Sequence, residues 1–103
     1  MRLRYFANDV YRTGGLPLAA VRPATVEHLQ ELARLCSKAG IAMIPRGGGA
    51  SYTDGYIRPE SGHVLIDTGA LDAIAIDETN AVVTVGAGVT WANLKAALEA
   101  KGL

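Results

Sequence analysis

Short apolar runs and one strongly periodic segment alternate in the first half of the chain. Residues 18–21 form an apolar run that ends at an Arg-Pro pair, which predicts a buried strand. From residue 26 to residue 39 apolar side chains recur at helical spacing, with Thr25 in the N-cap position and Gly40 as the C-terminal stop. A second apolar run at residues 41–44 completes a strand–helix–strand unit, whose two strands we expect to be parallel.

The second half of the chain changes character after one more apolar run. Residues 64–67 predict a third buried strand of the same sheet. Two further apolar runs, at residues 73–76 and 81–85, flank a polar turn, and this pattern is typical of an antiparallel hairpin. A helix capped by Thr90 follows. Three apolar residues share one face of that helix: Trp91, Leu94 and Leu98.

These elements predict an α+β fold with two lobes. The first is a small three-stranded parallel βαββ lobe, and the hairpin and second helix begin an antiparallel lobe. Because a two-stranded hairpin is rarely stable by itself, we expect the chain to be the front part of a larger domain.

Composition and charge exclude several classes of partner. The chain has 103 residues, half of them hydrophobic, and its ten basic and ten acidic residues cancel. A nucleic-acid groove or an anionic membrane surface needs a basic stripe, so neither is expected as the main partner. No apolar run approaches the ~18 residues of a membrane span, the N-terminus does not resemble a signal peptide, and Cys36 stands alone without a metal-ligand pair. A cytoplasmic protein is therefore expected.

A long connection at residues 45–63 carries the candidate chemistry. It opens with a segment that we call the glycine-rich loop, Arg46-Gly47-Gly48-Gly49-Ala50-Ser51. Glycines allow positive φ, so that successive N–H groups can converge on an anion, and the arginine and the serine hydroxyl complete a plausible phosphate cradle. The alternative is a surface turn whose glycines serve geometry only. The length of the connection favours binding. For Arg46 itself, pairing with phosphate and ordinary solvation remain equally open.

Two other phosphate motifs fit poorly. A Walker loop needs a Gly-Lys-Ser/Thr sequence, and no lysine occurs between Lys38 and Lys95. Gly86-Ala87-Gly88 resembles the start of a dinucleotide fingerprint, but the position of its third glycine is occupied by Trp91. The sequence favours a hairpin strand that turns into a capped helix.

The remaining chemical side chains suggest no catalytic group. His28 and His63 lack a nearby relay partner, so each is expected to be solvated or locally bonded. Cys36 lies on the apolar face of the first helix and is expected to pack as a small hydrophobe.

Several segments in fixed order resemble one known family. From about Leu18 onward, the chain is similar to the first half of the flavin-binding domain of FAD-linked oxidases of the vanillyl-alcohol-oxidase / p-cresol-methylhydroxylase type, which include glycolate oxidase flavoprotein subunits and D-lactate dehydrogenases. The segments that carry the resemblance are Val21-Arg22-Pro23, the helix from Val26, Ile44-Pro45 with the glycine-rich loop, Val64-Leu65-Ile66-Asp67 and Val83-Thr84-Val85-Gly86-Ala87-Gly88-Val89-Thr90-Trp91.

The resemblance implies how the loop would be used. In such proteins main-chain N–H groups of this loop wrap the diphosphate of FAD. The corresponding cofactor-binding residues here are Arg46, Gly47, Gly48, Gly49, Ala50 and Ser51. Some relatives carry a histidine directly after the glycines and bind the flavin covalently through it. Here that residue is Ala50, so FAD is expected to be non-covalent at this loop, while attachment through residues beyond Leu103 stays open.

The resemblance also implies boundaries and an activity. Residues 1–17 would form an N-terminal arm, 18–73 the first lobe and 74–103 the start of the second lobe, with the remainder of the parent flavoprotein as partner. The parent would oxidise a small 2-hydroxy acid or alcohol, and the 103-residue chain alone is expected to be inactive. The alternative is a non-catalytic, truncated flavin-domain module with an interaction or structural role, whose uncovered edges would favour self-association.

Overall fold

Two sheets and two helices form the described part of the chain in a computed structural model. The structure describes residues 17–48 and 62–103. Its elements, in chain order, are β1 (Ala19–Val21), α1 (Val26–Ala39), β2 (Met43–Arg46), β3 (Val64–Asp67), β4 (Ile74–Asp77), β5 (Val82–Val85) and α2 (Trp91–Glu99). The predicted α+β fold, with a parallel three-stranded lobe followed by a hairpin and a helix, is confirmed.

Helix α1 begins and ends at the predicted caps. The side chain of Thr25 accepts a hydrogen bond from the N–H of His28 at 3.1 Å. Gly40 adopts a left-handed φ of 68°, and its N–H donates to the carbonyl of Ser37. Glycine tolerates this conformation without a Cβ clash, which explains why the helix ends there.

The three parallel strands are arranged in the order β1-β3-β2. Both β1 and β2 pair with β3, and Val64 faces Ala19 on one side and Met43 on the other. The expected parallel relation of β1 and β2 is confirmed, but β3 lies between them. The central position of β3 explains its burial, which is complete at Leu65.

Strand β2 lies two residues later than the apolar run that predicted it. The strand spans Met43–Arg46 rather than residues 41–44, because its register follows its pairing with β3 up to Arg46 opposite Asp67. Pro45 has no N–H to donate, and it is tolerated because β2 is an edge strand.

The core is formed by α1 against one face of the parallel sheet. Cys36 is buried there with Val64 and Ile66, so its predicted role as a packed hydrophobe is confirmed. The partly buried residues around this cluster are Val21, Leu29, Leu32, Ile41 and Met43. Ala20 and Leu65 form a smaller cluster.

The second sheet is the predicted antiparallel hairpin of β4 and β5, with Asp77 opposite Val82. In its turn, the Asp77 carboxylate accepts hydrogen bonds from the backbone N–H of Asn80 at 3.1 Å and from the Asn80 side chain at 2.7 Å. Ala81 completes the turn with a left-handed φ of 53°. Helix α2 begins after its predicted cap Thr90 and packs against β4.

Neither α1 nor α2 has the length and apolar character needed to cross a membrane, and they are the two helices of the described residues.

Candidate functional site

The ends of the three parallel strands place the start of the glycine-rich loop at one edge of the sheet. Because the strands are parallel, their carboxyl ends lie together, and in open α/β sheets this is the edge at which ligands bind. Arg46 is the last residue of β2, and Gly47 and Gly48 follow it directly. The other predicted residues of the loop, Gly49, Ala50 and Ser51, lie outside the described residues.

Gly47 and Gly48 are both exposed, and the described residues around them leave room for a Cβ atom at either position. A Cβ atom on Gly47 would lie 3.5 Å from the carbonyl oxygen of Ala87, an ordinary van der Waals contact. A Cβ atom on Gly48 would lie 4.0 Å from the Cγ2 atom of Thr90. The expected positive φ occurs at neither glycine. Within residues 17–48 and 62–103, no atom lies closer than 3.5 Å to a Cβ atom built on either glycine.

The backbone donors of these two glycines are available in the part of the chain that the structure describes. Among residues 17–48 and 62–103, the backbone hydrogen bonds outside regular elements do not use the N–H of Gly47 or Gly48. Backbone N–H groups of exposed residues at the end of a parallel strand can donate hydrogen bonds to an anion.

Arg46 is not the solvated arginine that was one of the two interpretations of the sequence. Its side chain is buried, at 8% exposure, at the end of β2. Its carbonyl oxygen accepts a hydrogen bond from the N–H of Thr68 at 3.0 Å, which continues the parallel ladder beyond β3.

Thr68 is a site residue that the sequence did not reveal. It is buried directly after β3, and its Oγ1 atom lies 3.2 Å from the carbonyl oxygen of Arg46 and 3.2 Å from that of Ala87. No local pattern marks such a residue, because its partners lie far away in the sequence. Thr68 thus links the glycine-rich loop to the segment Gly86-Ala87-Gly88, which we call the second glycine turn.

The glycines of the second glycine turn are required by backbone packing. A Cβ atom on Gly86 would overlap the carbonyl oxygen of Leu71, and one on Gly88 would overlap the carbonyl oxygen of Thr68. The N–H of Gly88 donates to the Leu71 carbonyl, and that of Gly86 to the Ala73 carbonyl, both at 2.9 Å. The turn therefore joins the hairpin to the loop after β3, in agreement with the interpretation of a strand that turns into a capped helix.

Helix α2 begins beside the glycine-rich loop. The hydroxyl of Thr90 accepts a hydrogen bond from the N–H of Asn93 at 3.2 Å, and the methyl group of Thr90 is the neighbour of Gly48 noted above. Trp91, the first helical residue, is 85% exposed. The dinucleotide fingerprint has a glycine at this position to allow close packing of helix and strand, and the Trp91 side chain is incompatible with that packing.

Charged groups at the sheet edge are arranged around Gly69. The carboxylate of Asp67 accepts a hydrogen bond from the N–H of Gly69 at 2.9 Å. A Cβ atom on Gly69 would lie 3.0 Å from the Nη2 atom of Arg22. The Asp67 carboxylate therefore stabilises the turn that follows β3.

The two histidines differ in their exposure. His28 is exposed in the first turn of α1, whereas His63 is buried at 2% exposure, which leaves local bonding as the applicable one of its two expected states. The carbonyl of His63 accepts a hydrogen bond from the N–H of Leu18 at 2.7 Å. Within residues 17–48 and 62–103, no group of His, Cys, Asp and Glu side chains could hold a metal ion.

A concave surface lies between the hairpin and α2. Its lining is mainly apolar: Ile76, Ala81, Val82, Val83, Leu98 and Leu103, with Asp77 and Glu78 at the turn. Hydrogen bonds from Asn80 hold the pKa of the exposed Asp77 carboxyl below its usual value, so this carboxylate is a turn-stabilising group. The surface offers apolar contact and no cluster of reactive side chains.

The chain is similar in sequence to a known protein family and to several of its members. The family model described as "FAD binding domain" matches residues 17–103. Glycolate oxidase subunit GlcD of Bacillus subtilis is 29% identical over 102 residues, which cover 99% of this chain and 22% of that protein. Xylooligosaccharide oxidase of Thermothelomyces thermophilus is 28% identical over 86 residues, which cover 84% of this chain and 17% of that protein.

Solved structures agree with these relatives. BBE-like 1 of Physcomitrella patens matches with a TM-score of 0.78 and 27% identity, covering 91% of this chain and 20% of that one. The chain spans about a fifth of the length of the relatives it matches. The predicted resemblance to flavin-binding domains of the vanillyl-alcohol-oxidase / p-cresol-methylhydroxylase type is confirmed, and the cofactor of these proteins is FAD. With its parallel lobe, its hairpin and its two glycine segments, this chain belongs to the FAD binding domain family of flavin-dependent oxidoreductases.

Proposed function

We propose that this chain holds the diphosphate of FAD through the glycine-rich loop. The observation that carries the proposal is the contrast between the two glycine segments. Packing requires Gly86 and Gly88, whereas Gly47 and Gly48 are exposed, and a Cβ atom on either would make only ordinary van der Waals contacts with the residues that the structure describes. Glycine at positions that packing leaves free is explained if another molecule approaches the backbone there.

The chemistry around these two glycines fits a diphosphate. Their N–H groups are available donors among the described residues, and the buried Arg46 adds a positive charge directly before them. The N-terminus of α2 begins beside Gly48 and adds the positive end of a helix dipole. Gly49, Ala50 and Ser51 are proposed to continue the same cradle. Bound FAD supplies an electron-accepting ring. The role of this chain is to hold the FAD in place.

The flavin is proposed to be bound without a covalent bond from this loop. Ala50 follows the three glycines and carries no nucleophilic atom. Precipitation of the holoprotein with acid should therefore release yellow flavin into the supernatant. Flavin that stays with the precipitate would show attachment through another residue.

We propose a small 2-hydroxy acid or alcohol as the substrate of the whole protein. The name of the Bacillus relative refers to glycolate, a 2-hydroxy acid, and its match extends over 99% of this chain. In this proposal residues 18–73 form the first lobe of the FAD-binding domain, residues 74–103 begin the second, and other parts of the protein supply the catalytic side chains. A cytoplasmic location stays a prediction.

Purification of the full-length protein tests the function. We expect flavin absorbance after purification, or its recovery when FAD is added, and we expect ADP to compete with FAD because it carries the same diphosphate. Flavin reduction is then followed with glycolate, lactate and xylooligosaccharide as substrates. A protein that neither contains flavin nor takes up FAD contradicts the proposal, and reduction by xylooligosaccharide alone contradicts the substrate class.

A non-catalytic module is the second candidate, and the exposed apolar residues of the second lobe favour it. Trp91 and Leu103 are 85% and 60% exposed, and both line a shallow surface along α2 together with Leu94 and Leu98. Sedimentation of the 103-residue chain distinguishes the candidates. A concentration-dependent dimer with no flavin uptake by the full-length protein supports the module, and a flavin-binding full-length protein supports the oxidoreductase.

A further inference from the structure

We propose that Thr68 is a positioning residue for the FAD diphosphate, because it orients the first N–H donor of the glycine-rich loop. This inference rests on the proposed function. It goes beyond that function because it assigns a role in cofactor binding to a buried side chain outside the loop.

Two hydrogen bonds from Thr68 converge on the carbonyl of Arg46. The Thr68 N–H donates to this oxygen at 3.0 Å, and the Thr68 hydroxyl lies 3.2 Å from it. In a trans peptide the carbonyl of one residue and the N–H of the next point in opposite directions. No cis peptide bond occurs in the described residues. Holding the Arg46 carbonyl toward Thr68 therefore turns the Gly47 N–H away from Thr68.

The hydroxyl of Thr68 also reaches the second glycine turn. Its distance to the carbonyl oxygen of Ala87 is 3.2 Å. A hydroxyl has one proton to donate, and the Arg46 carbonyl already accepts the Thr68 N–H. Among the described residues, the hydrogen bond of the Ala87 carbonyl is the one from this hydroxyl. The proton is therefore shared between the carbonyl oxygens of Arg46 and Ala87, which lie at the same distance of 3.2 Å, so that the side chain ties both carbonyls to Thr68.

The position of Ala87 matters because it faces the glycine-rich loop. A Cβ atom on Gly47 would lie 3.5 Å from the Ala87 carbonyl oxygen and 4.0 Å from the Thr68 hydroxyl. Thr68 thus holds together the end of β2, the first glycine of the loop and the second glycine turn. Loss of the hydroxyl frees the Ala87 carbonyl and leaves the Arg46 carbonyl with the backbone N–H of Thr68 in place of two donors, so the peptide that carries the Gly47 N–H is held less firmly.

The experiment compares Thr68→Val, which removes the hydroxyl at nearly constant shape, with Thr68→Ser, which keeps it. Thr84→Val is the matched control, because Thr84 is an exposed residue of β5, in the hairpin. For each variant of the full-length protein, dissociation constants are measured for FAD, for ADP and for riboflavin, which lacks the diphosphate. Amide hydrogen exchange at Gly88 in the ligand-free protein reports on the second glycine turn.

We expect Thr68→Val to weaken the binding of FAD and ADP by up to about fivefold, because a misplaced Gly47 N–H loses at most the hydrogen bond that it would donate to the diphosphate, and we expect riboflavin binding to be unchanged. Faster exchange at Gly88 should accompany this loss. Thr68→Ser should bind FAD within about twofold of the wild type, and Thr84→Val should not differ from it.

Three results would overturn the inference while leaving the proposed function intact. These are unchanged FAD affinity in Thr68→Val, an equal loss in Thr68→Ser, or an equal loss of riboflavin binding, which would indicate general loosening. If Thr68→Val does not fold, Thr68→Cys replaces it, since a thiol is a weak donor of similar size. A wild-type protein that binds no FAD would refute the proposed function and the inference together, before any substitution is made.

Discussion

Gly88 packs directly on the backbone of Thr68, because a Cβ atom on Gly88 would overlap the Thr68 carbonyl oxygen and lie 2.8 Å from its carbonyl carbon. Neither atom belongs to a flexible side chain, so the backbone would have to shift. We predict that Gly88→Ala lowers the free energy of unfolding by about 1–3 kcal/mol, the usual cost of overpacking. Denaturant unfolding measures this change, and a midpoint equal to that of the wild type would contradict the packing described here.

Gly48→Ala should show the opposite behaviour. Among the described residues, the new Cβ atom would meet the Thr90 methyl group alone, at 4.0 Å, so the free energy of unfolding should change by less than about 0.5 kcal/mol. FAD affinity should nevertheless fall by at least about tenfold, because the Cβ atom enters the space proposed for the diphosphate. Flavin titration measures the FAD affinity of Gly48→Ala once its unfolding has been shown to match that of the wild type. Unchanged affinity would show that the diphosphate does not approach Gly48.

Acid should weaken the β4–β5 turn through Asp77. Hydrogen bonds from the Asn80 side chain and N–H lower the pKa of the Asp77 carboxyl from its usual value of 3.8. A carboxyl with a lowered folded-state pKa stabilises the protein above its unfolded-state pKa, and this stabilisation is lost as the pH falls through the folded-state value. We therefore expect stability to decline below about pH 4.

The pH dependence is measured by urea unfolding from neutral pH down to about pH 3, together with NMR titration of the Asp77 carboxyl. Asn80→Ala is the comparison variant, since it removes the side-chain donor and weakens the coupling. An Asp77 carboxyl that titrates identically in both proteins would be inconsistent with the hydrogen-bonded turn.

Ala81 has a strained backbone conformation in the β4–β5 turn. Its φ of 53° lies in the left-handed region, which costs an L-residue roughly 1–2 kcal/mol. Ala81→Gly should stabilise the protein by about 1 kcal/mol, after the greater flexibility of glycine in the unfolded chain is subtracted. The control is Ala75→Gly in β4, which should destabilise by about 0.5–1 kcal/mol. Thermal unfolding of both variants tests the contrast, and two changes of the same sign would refute it.

The sequence predicted those elements whose signals are local. Thr25 and Gly40 defined α1 because caps act within a few residues, and Thr90 did the same for α2. The start of β2 was placed two residues too early, because strand bounds depend on a partner strand far away in the sequence. An apolar run alone does not contain that information.

The same distinction separates the parts of the candidate site. Gly47 and Gly48 were found because consecutive glycines are visible in any sequence. The packing role of Gly86 and Gly88 depends on Leu71 and Thr68, which the hairpin pattern does not indicate. Thr68 was missed because it is a single buried hydroxyl whose partners are brought close only by the folded sheet.

The β1-β3-β2 order has a consequence for how the chain folds. Ala19 and Met43 both pair with Val64, because β1 and β2 each pair with β3, and neither strand can join the sheet before β3 is present. Loop closure must come before these contacts can form, so the sheet is slow to assemble compared with the locally capped α1. During synthesis from the N-terminus, β3 is the last of the three strands to leave the ribosome. A nascent chain that ends before Val64 can therefore form the helix but not the sheet, and the carboxyl edge that orients the glycine-rich loop arises only in the step that completes β3.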